Sequence, residues 1–96
     1  MTLNQLLGDK RQDILRLAAR HGARNVRVFG SLARGEARSD SDVDILITLD
    51  PERSLLDLIA LKQEMEDLLG CKVDVVTEAS VSPYIRPQVL RDAVAL

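Results

Sequence analysis

The run Val28-Phe-Gly-Ser-Leu-Ala-Arg-Gly-Glu-Ala-Arg-Ser-Asp-Ser-Asp-Val-Asp-Ile45 decides how this chain is read. Val26 to Phe29 alternates and predicts a short strand. Gly30-Ser31 then turns the chain into a brief helix from Leu32 to about Gly35, and Glu36 to Ser41 reads as a polar loop. Asp42 to Leu49, rich in β-branched residues and stopped by Asp50-Pro51, predicts a second strand. The first N–H groups of a helix are unpaired and attract anions, and a glycine lets a phosphate approach closely. Gly30 and Ser31 are therefore candidate phosphate ligands, although a plain N-cap serine fits the same position. The pattern is neither a P-loop nor a dinucleotide fingerprint, since G-x-x-x-x-G-K-[ST] and G-x-G-x-x-G are both absent.

Side chains two apart on a strand share a face, so Asp42 and Asp44 project together with Cα atoms about 6.6–6.8 Å apart. Two carboxylates at that spacing can converge on metal positions roughly 3.5–4 Å apart, as in two-metal phosphoryl-transfer sites. Oxygen ligands without His or Cys favour Mg²⁺ or Mn²⁺ over Zn²⁺. Two solvated acids at a strand end are the alternative. Asp74 lies inside the apolar run Val73-Asp-Val-Val76, where an ionised carboxylate is costly unless paired or metal-bound. It completes a three-carboxylate cluster if its strand neighbours the second one; otherwise it pairs with Lys72. Arg34 and Arg38 could neutralise triphosphate charge, Arg38 equally well pairing with Glu36 or Asp40. His21 reads as a helix-dipole partner, Cys71 as inert packing and Tyr84 as a half-buried anchor.

Outward from this segment, Asp9 to His21 predicts a helix with Ile14, Leu17 and Ala18 on one face, while Gly8 interrupts the chain before it and Gly22 caps its end. Ser54 with Asp57 three residues on opens a helix over Leu55 to Leu69, closed by Gly70. Its apolar stripe reads as Leu55, Leu58, Ile59, Met65, Leu68 and Leu69. Lys72 to Val76 is the third strand, and Ser82-Pro83 leads through a turn at Pro87 into a last helix carrying Val89, Leu90 and Val94. This alternation predicts an α/β layer fold on a small three-stranded sheet, with strand order and direction left open.

The chain has 96 residues, enough for one domain and one core, so residues 1–96 are expected to form a single domain. Apolar residues make up 46% and aromatics 2%, so the core is aliphatic. One cysteine permits no internal disulfide and suits a cytoplasmic location. No apolar run reaches membrane-spanning length, and a net charge of −2 with mixed signs gives no reason to expect direct nucleic-acid binding.

Gly30-Ser31-x10-Asp42-x-Asp44, set in Phe-Gly-Ser-Leu-Ala-Arg-Gly and Ser-Asp-Val-Asp-Ile, resembles the minimal nucleotidyltransferases of the DNA polymerase β superfamily, and most of all the MNT antitoxins paired with HEPN ribonuclease toxins. The resemblance runs from about Leu15 to the C-terminus, with mild departures at Gly8 and Pro87. It implies a nucleotidyltransferase fold, α/β (α+β), with a small mixed sheet packed by helices. It further implies that Asp42 and Asp44 hold two Mg²⁺ ions. Asp74 would be the third acid, which binds the nucleophile-side metal or deprotonates the acceptor; Gly30 and Ser31 would hold the triphosphate. The activity so implied is transfer of AMP from ATP to a tyrosine hydroxyl of a HEPN-type toxin, within a hetero-oligomer. A binding-only antitoxin that masks the ribonuclease without chemistry is the competing reading.

Overall fold

The computed structural model describes residues 3–35 and 42–96. Helix α1 (Leu3–Arg20) leads into strand β1 (Ala23–Phe29), followed by β2 (Val43–Leu49), α2 (Leu55–Leu69), β3 (Val73–Thr77), a short 3-10 turn (Glu78–Ser80), α3 (Arg86–Asp92) and β4 (Val94–Ala95). The sheet order is β3-β2-β1-β4. β2 runs parallel to β3 and antiparallel to β1, which is antiparallel to β4, so the sheet is mixed as expected. Among the described residues it has four strands rather than three. The addition is a two-residue edge: Val94 pairs with Val28 and Ala95 with Arg27, and Leu96 N–H donates to the Val26 carbonyl at 3.1 Å.

Period-two alternation along β2 divides the molecule. Val43, Ile45 and Ile47, all fully buried, face the larger core with Ile14 and Ala18 of α1, and Leu61, Met65 and Leu69 of α2. Leu46 faces the other way, against Val81 and Val89 with Phe29 and Val76 beside them. The even-numbered Asp42 and Asp44, and Asp74 by the same rule on β3, therefore lie on the Leu46 face.

α1 is not broken at Gly8. An interior glycine costs roughly 1 kcal/mol against alanine. Leu7 is buried in the larger core together with Ile14, and burying a leucine is worth about 1.5–3 kcal/mol, so packing outweighs the glycine. In α2 the predicted cap forms: Ser54 Oγ accepts from Leu56 N–H at 3.3 Å, Ser54 N–H donates to Asp57 Oδ2 at 3.1 Å, and Gly70 closes the helix in the left-handed region. The stripe holds in part: Met65 and Leu69 face the core with Leu58 and Leu68 packed against it, and Leu61 joins them, whereas Leu55 and Ile59 are exposed. No described helix is long and apolar enough to cross a membrane.

Candidate active site

A bulge prepares the register at the site. Between Arg24 and Arg27, β1 carries one residue more than β2, with Asn25 at φ 52°, a conformation asparagine tolerates. The shifted register sets Phe29 opposite Asp44. The next residue, Gly30, has φ +74°, and a Cβ there would collide with Asp44 Oδ2 and lie 3.2 Å from Cγ. Only a glycine leaves room for that carboxylate under a left-handed backbone.

The residues after Gly30 form a hydrogen-bonded turn instead of the expected short helix. Arg34 N–H donates to the Gly30 carbonyl at 3.1 Å and Gly35 N–H to the Leu32 carbonyl at 3.1 Å. With Gly30 at one end and Gly35, also at φ +74°, at the other, the segment does not continue as a helix. Anion binding at Ser31 would thus rest on turn N–H groups rather than on a helix dipole.

On the other flank of β2, Asp44 stands directly opposite Asp74 in the parallel ladder. Asp42, Asp44 and Asp74 line one cavity of about 360 Å³ with Lys62, Glu66, Lys72 and Val73. Among the described residues no ion pair joins Lys72 to Asp74, so the pairing alternative for that aspartate is not realised. Asp44 is half-buried, and burial first, then Asp74 and Asp42, pushes its pKa up, with Arg34 opposing. Arg34 is held near by α3: its Nη1 donates to Asp92 Oδ2 at 3.0 Å. Arg38 lies outside the described residues.

Three acids on one face carry excess negative charge and only oxygen donors, which suits a hard divalent cation. They are not a preformed cage: among the described residues no three His, Cys, Asp or Glu side chains converge as metal ligands. Asp42 and Asp74 are exposed, so the fit to such a cation lies in charge and donor chemistry.

Glu66 was not singled out by the sequence reading. Its Oε2 accepts from Val73 N–H at 3.1 Å, and its Oε1 pairs with Lys62 Nζ at 3.2 Å. The Val73 hydrogen bond, then Lys62, holds its carboxyl below the usual range. The i, i+4 spacing of Lys62 and Glu66 was visible in the sequence, but it reads as an ordinary helix-surface pair. His21 pairs across helices with Glu64 at 2.6 Å rather than serving the α1 dipole alone. Burial, then Asp42 and Glu66, pushes the Cys71 thiol pKa up. Tyr84 is 95% exposed and anchors nothing.

A family model described as a nucleotidyltransferase domain matches residues 11–96. The protein adenylyltransferase MntA of Thermococcus cleftensis is 47% identical over 78 residues, covering 81% of this chain and 79% of that protein. A solved structure provisionally described as a minimal nucleotidyltransferase is 52% identical with a TM-score of 0.88, covering 100% of this chain and 97% of that one. A toxin–antitoxin crystal structure with AMP-PNP shares the fold at 23% identity and TM-score 0.75, covering 88% of this chain and 69% of that chain.

Proposed function

The chain belongs to the nucleotidyltransferase family, and from that premise we propose that it transfers AMP from ATP to a hydroxyl of a partner protein, acting as the antitoxin of a HEPN-type toxin in the cytoplasm. The observation that carries the reading is the in-register pair Asp44 and Asp74, with Asp42 on the same face and the Gly30 turn packed against the Asp44 carboxylate. Similarity to a protein adenylyltransferase supports ATP as donor and a protein as acceptor, and a toxin as that protein is part of the proposal.

In this reading the Gly30-Ser31 turn holds the triphosphate through its N–H groups and the Ser31 hydroxyl. Arg34, steadied by Asp92, balances phosphate charge on the same side. Asp42 and Asp44 are the metal-side carboxylates, and Asp74 orients the acceptor hydroxyl or takes its proton. Mg²⁺, when bound to these acids, would supply charge neutralisation on the phosphates and a more acidic acceptor oxygen. The acceptor oxygen attacks the α-phosphorus, the bond to the β-phosphate bridging oxygen breaks, and pyrophosphate leaves. Positioning and electrostatics do most of the work.

Asp42→Asn separates chemistry from binding. The variant should lose AMP transfer while still forming the complex with its partner. A variant that neutralises the partner as fully as the wild type would instead establish masking by binding alone.

A further inference from the structure

Glu66 sits on α2, outside the aspartate motif, yet it touches the peptide that leads into Asp74. The Lys72–Val73 peptide unit is held from both sides: its carbonyl accepts from Val43 N–H of β2 at 3.0 Å, and its N–H donates to Glu66 Oε2 at 3.1 Å. β3 is an edge strand and the Lys72 carbonyl faces β2, so this N–H points away from the sheet and would have no ladder partner without Glu66. The second Glu66 oxygen is engaged by Lys62 Nζ at 3.2 Å. Each carboxylate oxygen is thus engaged within the protein, one by the strand and one by the helix.

We infer that Glu66 is a positioning residue, clamping the start of β3 so that Asp74 is presented beside Asp44. Lys62 in turn fixes the Glu66 carboxylate. The inference rests on the proposed role of Asp74 in nucleotidyl transfer. The geometry makes the clamp local: loss of the Glu66 carboxylate removes one of the two hydrogen bonds that hold this peptide at the strand end, one residue before the acid. Val73 itself stays buried in the larger core, so the strand remains docked. Partners that hydrogen-bond a metal ligand directly typically change metal affinity by about 10–100-fold, and Glu66 acts one peptide further out.

Three variants, Glu66→Ala, Glu66→Gln and Asp74→Ala, together with the Glu66→Ala/Asp74→Ala double variant, test the clamp. The probes are Mn²⁺, titrated by electron paramagnetic resonance with a non-hydrolysable ATP analogue present, and hydrogen exchange at the Val73 amide. Glu66→Ala should weaken Mn²⁺ binding by up to about 10-fold and accelerate Val73 exchange. Glu66→Gln, whose side-chain carbonyl still accepts from Val73, should preserve both. In the Asp74→Ala background, Glu66→Ala should add nothing further to the loss of Mn²⁺ binding. Wild-type Mn²⁺ affinity in Glu66→Ala, an undiminished additional loss in the Asp74→Ala background, or failure of the glutamine to rescue would overturn the clamp. A wild-type protein that binds no Mn²⁺ would overturn the nucleotidyl-transfer reading. Val73 exchange would then still judge the contact, since unchanged exchange in Glu66→Ala refutes it.

Discussion

The Asp44 carboxylate fills the space that a Cβ on Gly30 would occupy, so the residue that turns the chain and the central acid are fitted to each other. Gly30→Ala therefore meets two penalties, a left-handed alanine and an overlap with Asp44. Gly35→Ala meets only the first, because nothing lies within 4 Å of its Cβ position. Left-handed strain costs about 1–2 kcal/mol, which in a domain of this size lowers Tm by roughly 4–16 °C. Gly30→Ala should melt lower than Gly35→Ala and lose nucleotide transfer. Equal melting temperatures would refute the overlap.

Asp44→Asn should raise stability while removing activity. Its pKa is raised in the fold, so its contribution to stability is in place below the ordinary carboxylate range and is lost as pH rises through the raised value. At neutral pH its charge opposes folding, and asparagine removes that repulsion. Thermal melts at pH 7 should show a higher Tm for the variant, and added Mg²⁺ should stabilise the wild type more than the variant. A lower Tm for Asp44→Asn would contradict the crowding described here.

Much of this arrangement was legible from residue order because its causes are local. Ser54, Asp57 and Gly70 bound α2 by hydrogen bonds within one turn, and alternation along Asp42-Val-Asp puts two acids on one face wherever the strand lies. The rest depends on contacts between distant segments. Gly8 stays helical because Leu7 finds the core, and β4 exists only because Val94 and Ala95 meet β1. Leu55 and Ile59 lie outside the buried stripe because α2 turns Leu61, Met65 and Leu69 toward the sheet. The link from Glu66 to Val73 requires the chain reversal at Gly70, which no spacing rule supplies.

The cap of α2 carries an acid-sensitive contribution of the opposite sign. The Ser54 N–H, then Arg53, holds the Asp57 carboxyl low, so its stabilisation is in place above the ordinary carboxylate range and is lost as pH falls through the lowered value. Ser54→Ala should cost about 1 kcal/mol, and Asp57→Asn should flatten the acid limb of the stability profile. Acid titration followed by circular dichroism checks both. An unchanged acid limb in Asp57→Asn would remove the cap from the account.

Arg34 and Asp92 form a partly exposed pair, and such pairs contribute about 0–1 kcal/mol. If the Gly30-Ser31 turn holds phosphate as proposed, Asp92→Ala should leave Tm nearly unchanged but weaken ATP binding, because Arg34 loses one of its contacts beside that turn. Isothermal titration with ATP would show a loss smaller than that of Arg34→Ala. Unaltered affinity in both variants would exclude Arg34 from nucleotide binding.

The most direct measurement follows labelled phosphate. The purified chain, Mg²⁺ and the proposed HEPN-type toxin are incubated with ATP labelled at either the α- or the γ-phosphorus. Label from the α-position should appear on the partner, label from the γ-position should leave as pyrophosphate, and Asp44→Asn should transfer neither. A partner that acquires γ-label, or acquires none while still being neutralised, would contradict the account.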